Sequence, residues 1–128
     1  MSYTALVLDE ESHKKLVDAF DIPEGWEVIA HHMTINMGTP DKGPVQSNNE
    51  KVNVGETGAM EVETFAQDDL VMAVGVKSNI ESSNERKHIT LAVNRAEGGK
   101  PYLSNKLTEW FPVDLNKQII LNGTVKVQ

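Results

Sequence analysis

Apolar stretches in this chain are short, rich in β-branched residues and separated by turn-formers, and that pattern commits it to a sheet-rich fold. YTALVL (3–8), WEVIAHHMTINM (26–37), AMEVETFA (59–66), LVMAVGV (70–76), KHITLAVN (87–94) and KQIILNGTVKVQ (117–128) are each of strand length. Two helices interrupt them. Asp9 is a candidate N-cap, Glu10 and Glu11 suit a first helical turn, and His13, Leu16, Val17 and Phe20 repeat on one face, which predicts a helix over 10–20 closed by Pro23 and Gly25. His13 lies on or beside that stripe and reads as a packed, hydrogen-bonded histidine. Pro101 opens a second helix over 101–110, with Leu103, Leu107 and Trp110 as its buried face and Trp110 assigned to the core. Gln67–Asp69 marks a hairpin turn, residues 38–58 a long loop, and Asn122–Gly123 either a hairpin or a bulged strand.

At 128 residues the chain predicts a single domain, 1–128, large enough to bury a core without staples. It has no cysteine, so disulfides, thiolate nucleophiles and Cys-type zinc sites are excluded, and four histidines carry any metal hypothesis alone. The start, MSYTALVLDEESHKK, lacks the basic and apolar segments of a signal peptide, and no stretch reaches membrane-span length; the expectation is a soluble, cytoplasmic protein with no membrane partner. A net charge of −7 opposes binding to long duplex nucleic acid. Seven acids against two lysines in residues 1–27 concentrate the repulsion at one end and leave room for a small anion elsewhere.

Two tetrapeptides share one pattern. His32–Met33–Thr34–Ile35 and His88–Ile89–Thr90–Leu91 both read His, apolar, Thr, apolar. In a strand, residues i and i+2 share a face, so each motif presents an imidazole and a hydroxyl backed by core. Imidazole titrates near neutral pH and serves as base or acid, and a threonine hydroxyl donates to a phosphate oxygen. If the two pairs face each other across a cleft, a phosphodiester between them meets one histidine at the attacking oxygen and the other at the leaving oxygen, without a metal. His31 has no threonine at i+2 and by alternation points to the opposite face. Asn36 shares the face of His32 and reads as a solvated side chain, with a strand-end contact as the alternative.

The doubled motif, HMTI and HITL, resembles that of the 2H phosphoesterase superfamily, which includes LigT-like enzymes, cyclic phosphodiesterases and 2′,5′-phosphodiesterases. The resemblance implies an α+β, bilobal fold with two antiparallel sheets forming a central cleft and helices on the outside. The segments 3–8, 10–20 and 27–37 then form one lobe, and 87–94, 101–110 and 117–127 the other. It further implies that His32 and His88 are the catalytic base and acid, in an order the motif leaves open, and that Thr34 and Thr90 bind the substrate phosphate.

Beyond the motifs, Tyr3, Arg86 and Tyr102 are candidates for substrate contact, with Trp110 and Phe65 as further aromatics. Lys87, Arg95 and Lys100 join Arg86 around the second motif, either to attract phosphate or as a solvated face. The loop 38–58 is either a lid or variable packing. The leading expectation is a metal-independent phosphodiesterase, with no cofactor, acting on a small nucleotide or oligonucleotide: a 2′,3′-cyclic phosphate, a 2′–5′ linkage or a cyclic oligonucleotide signal. A non-catalytic nucleotide-binding module with the same cleft is the alternative. A histidine metal site has thin support, since no acid stands at ligand spacing.

Overall fold

In the computed structural model, which describes residues 2–114 and 116–128, the first apolar run forms strand β1 (Tyr3–Leu8) and gives way at Asp9 to helix α1 (Glu10–Asp18). Asp9 accepts a 2.7 Å hydrogen bond from the Ser12 amide, which satisfies an otherwise orphan donor and holds the Asp9 carboxyl below its ordinary range. The helix buries Leu16 fully, and Ser12 Oγ accepts from the Asn122 amide at 2.8 Å, tying α1 to the last strand.

The remaining strands are β2 (Glu27–Val28), β3 (His32–Met37), β4 (Thr57–Gln67), β5 (Val71–Ser78), β6 (His88–Val93), β7 (Phe111–Pro112) and β8 (Ile120–Val127). Every pairing is antiparallel, and the neighbours run β6, β3, β1, β8, β4, β5 and back to β6. The ring closes. The α+β class is as expected, but the two sheets flanking a central cleft are not found: one sheet forms a barrel, with β2 added beside β6 and β7 beside β4.

Local irregularities explain the closure. Register shifts between Val62 and Thr64 in β4, Met72 and Ala73 in β5, and Thr4 and Ala5 in β1 bend the strands, as extra residues in a ladder do. The long strand β4 pairs with β8 along Thr57–Glu61 and with β7 at Thr64 and Phe65, so it turns a corner of the barrel. Closure leaves the ring without a free edge. Leu6, Met33, Ile35, Met60, Val74, Ile89, Leu91 and Leu121 fill the interior and are all fully buried.

Other expectations shift in detail. The strand foreseen over 27–37 is divided, because Ala30 adopts a positive φ of 41° and takes the chain out of the ladder. The helix foreseen over 101–110 is a 3-10 turn, Pro101–Lys106: Ser104 Oγ lies 2.8 Å from the Pro101 carbonyl, and the backbone is extended again at Leu107. Asn122–Gly123 lies inside one continuous strand, where Gly123 admits the Val7 carbonyl; a Cβ there would sit 2.8 Å from that oxygen. The loop after β3 is packed, with Val52 in the core and Gln46 accepting from the Glu81 amide at 2.7 Å. Among the described residues no helix is long and apolar enough to cross a membrane.

Met33 and Ile89 face each other across β3 and β6 beneath the two motifs. Ile89→Ala leaves a cavity there, and urea denaturation is expected to register a loss of about 2–5 kcal/mol. A loss under about 1 kcal/mol would mean that this pair does not anchor the barrel wall.

Candidate active site

The barrel wall turns the alternation of the two motifs into a division of faces. Met33, Ile35, Ile89 and Leu91 point inward and are fully buried, while His32, Thr34, His88 and Thr90 are half-buried on the outside. Because β3 and β6 are adjacent and antiparallel, counting outward from the Met33–Ile89 pair sets His32 beside Thr90 and Thr34 beside His88. The motifs therefore stand side by side and head to tail on one wall, not across a groove between two sheets. Each histidine neighbours the other motif's threonine.

A network that the sequence did not reveal holds the second motif. His88 Nδ1–H donates to the Arg86 carbonyl at 2.8 Å, which leaves Nε2 to face Ser104 Oγ at 3.1 Å. Ser104, buried at 3% exposure, is also 2.8 Å from Thr90 Oγ1 and 2.8 Å from the Pro101 carbonyl. A serine hydroxyl has one hydrogen for these three neighbours. With His88 neutral, that hydrogen belongs on Nε2; with His88 charged, the ring donates instead and the hydroxyl turns to Pro101. The Ser104 signal in the sequence was only a serine three residues after a proline.

Burial is the main force on both imidazoles. It pushes His32 down to about 4, with repulsion from His31 and His88 adding to the shift. His88 is also lowered, by burial first; its bond to the Arg86 carbonyl opposes this, and the Arg86 charge reinforces it. The Tyr3 ring lies 5.1 Å from that of His32.

An open cavity of about 870 Å³ adjoins His88 and Ser104, lined also by Thr64, Gly75, Arg86 and Trp110. Trp110 is not a core residue as expected: it is half-exposed, with the Arg86 guanidinium 4.8 Å above its ring and His88 6.3 Å away. Its displacement follows from the loss of the foreseen helix, since an extended chain after Lys106 does not carry position 110 inward. Gly75, the register partner of His88, keeps the cavity floor open, because a Cβ there would collide with Thr64 Oγ1.

The other candidates divide. Tyr3 and Arg86 stand beside the histidines, whereas Tyr102 is 57% exposed, interacts with Lys106 and lies outside the cavity lining. Lys87 lines the cavity and pairs with Glu81, Arg95 pairs with Glu27, and Phe65 stacks on Phe20. Asn36 is buried rather than solvated, donating to the Met37 and Thr39 carbonyls to shape the turn after β3. His31 does not point away from His32: Ala30 has left the ladder, alternation no longer applies, and the rings meet Nδ1 to Nδ1 at 2.9 Å. Among the described residues no three His, Cys, Asp or Glu side chains gather as metal ligands.

Residues 6–126 match the family described as the fungal tRNA ligase phosphodiesterase domain. The chain belongs to this family, a branch of the 2H phosphoesterase superfamily. Membership supports a cyclic phosphodiesterase activity, and so a phosphoesterase enzyme. No curated protein and no solved structure matches the chain.

The lowered value of His32 has a consequence for stability. An unfolded histidine takes up a proton near pH 6.5, the folded one only near 4, so stability present at neutral pH is lost as pH falls through that window. Comparing urea midpoints at pH 7.5 and 4.5, His32→Gln is expected to lose less stability than the wild type by on the order of 2 kcal/mol. Equal losses would mean that His32 is not held neutral by the fold.

Proposed function

We propose that this protein is a metal-independent phosphodiesterase that opens 2′,3′-cyclic phosphates on a nucleotide or RNA end, with His32 and His88 exchanging protons and Thr34 and Thr90 holding the phosphate. The observation that carries the reading is the head-to-tail pairing of the two motifs on β3 and β6, which gives a single phosphate an imidazole and a hydroxyl on each side. Family membership supports the cyclic diester as the bond class.

In this reading water attacks phosphorus in line with the leaving ribose oxygen. One imidazole takes the water proton at Nε2 as the new P–O bond forms. The other gives a proton to the ribose oxygen as the old P–O bond breaks, leaving a phosphomonoester and a hydroxyl. Thr34 and Thr90 donate to the two non-bridging oxygens, where charge accumulates. The 3.1 Å contact between His88 and Ser104 yields to a water in the bound state, since catalytic hydrogen bonds of a free enzyme are commonly loose. Arg86, in the cavity lining beside His88, is a cation for the phosphate, and the Trp110 and Tyr3 rings offer flat surfaces for a base.

The net charge of −7 opposes contact along a long polyanion, so only a terminal nucleotide or a few nucleotides would be engaged. The test is turnover in EDTA of a panel of 2′,3′-cyclic, 3′,5′-cyclic, 2′–5′-linked and cyclic dinucleotide compounds. The 2′,3′-cyclic compounds are expected to react, and His32→Ala and His88→Ala each to lose ~10²–10⁴ in kcat. Wild-type rates in either variant would overturn the assignment. Ligand recovered unchanged after prolonged incubation with excess protein would mean a binding module instead.

A further inference from the structure

The two motifs give the same ring atom different partners. At His88, Nδ1 donates to the carbonyl two residues upstream, that of Arg86. The corresponding carbonyl for His32 is that of Ala30, and it is already taken: His13 reaches from α1 and donates its Nδ1–H to it at 2.8 Å. The irregular backbone at Ala30 then brings the exposed ring of His31 to His32, with Nδ1 2.9 Å from Nδ1. Two ring nitrogens at that distance share one proton, so one ring presents N–H and the other a lone pair.

We infer that His31 is the donor in this pair and relays protons to His32, holding it in the tautomer with hydrogen on Nε2 and replacing the proton that His32 gives away. The inference rests on the two-histidine reading above and deepens it, because it assigns His32 as the acid and His88 as the base. His88 is fitted to the second role: with Nδ1–H committed to Arg86, its neutral ring carries a lone pair on Nε2. His32 is a poor acid unaided. Burial keeps it neutral near pH 7, so it holds a single N–H, and losing that alone would leave an imidazolate.

His31 removes the obstacle because it is exposed, so its outer nitrogen can take a proton from solvent. The groups facing the pair are His88 with Arg86 behind it, Tyr3 from β1, and His13 from α1 on the far side of the Ala30 carbonyl. When the ribose oxygen leaves, it takes the Nε2 proton of His32, and the Nδ1 proton of His31, protonated from solvent at Nε2, moves to His32 Nδ1. His32 stays neutral, His31 becomes neutral, and His88 holds the proton from water. Return of that proton through solvent to His32 Nε2, with Nδ1 handing its own back to His31, restores the starting state.

The direct test needs no variant: nitrogen NMR of the whole protein labelled at histidine, at pH 7, is expected to find His32 neutral with its proton on Nε2. A proton on Nδ1 overturns the inference. His31→Ala and His31→Gln are expected to lower kcat by about 10- to 100-fold with KM nearly unchanged, and to move the alkaline limb of the kcat profile to lower pH. An amide can hold a ring in place but cannot carry its proton, so full activity in His31→Gln would reduce His31 to orientation and overturn the relay. Wild-type kcat and pH profile in His31→Ala would do the same. If His32→Ala and His88→Ala are also fully active, the two-histidine reading fails; if they are inactive while His31→Ala is active, the relay alone fails.

Discussion

Everything at the site depends on one strand pairing, β3 against β6. Antiparallel register across Met33 and Ile89 converts two copies of a four-residue pattern into a two-sided arrangement, because reversing the strand direction sets each histidine against the other motif's threonine. The same pairing contributes two fully buried apolar side chains from each motif to the interior. Fold stability and site geometry therefore share a cause. A slip of one residue would turn the imidazoles inward and the apolar side chains out, so the core itself enforces the register.

The wall of a closed barrel is also a physical environment. It half-buries both imidazoles, and the cost of burying charge drives them toward the neutral form. Two neutral histidines are an incomplete acid–base pair, and their partners differ: the second motif is tied to a backbone carbonyl and to Ser104, the first to another histidine. In the proposed reaction a phosphodiester brings negative charge to both rings. The asymmetry of partners then determines where the proton is held.

Much of this was legible in the residues. β1 matches its run, Tyr3–Leu8, and the capping of α1 by Asp9 was readable because capping is decided within a few positions. The motif residues were legible because alternation fixes which side chains share a face. What the sequence hid was long-range or irregular: the pairing of β1 with β8 and of β5 with β6 that closes the barrel, and the positive φ at Ala30 that defeats alternation at His31. Ser104 and Trp110 were hidden for a related reason. The 101–110 segment has apolar residues at helical spacing, but a serine bonded to its own turn and an extended chain after it put one residue under the second motif and the other beside the cavity.

The proposed reaction requires that one phosphate sit between His32 and His88. The most direct measurement is a titration of the protein with a nucleoside 2′-monophosphate and with its 3′ isomer, the two products that opening the ring can give, followed through the ring resonances of all four histidines. His32 and His88 are expected to shift together along one binding curve, while His13, committed to the Ala30 carbonyl, shifts far less. A curve in which only one of the two moves, or in which neither does at saturation, would contradict it.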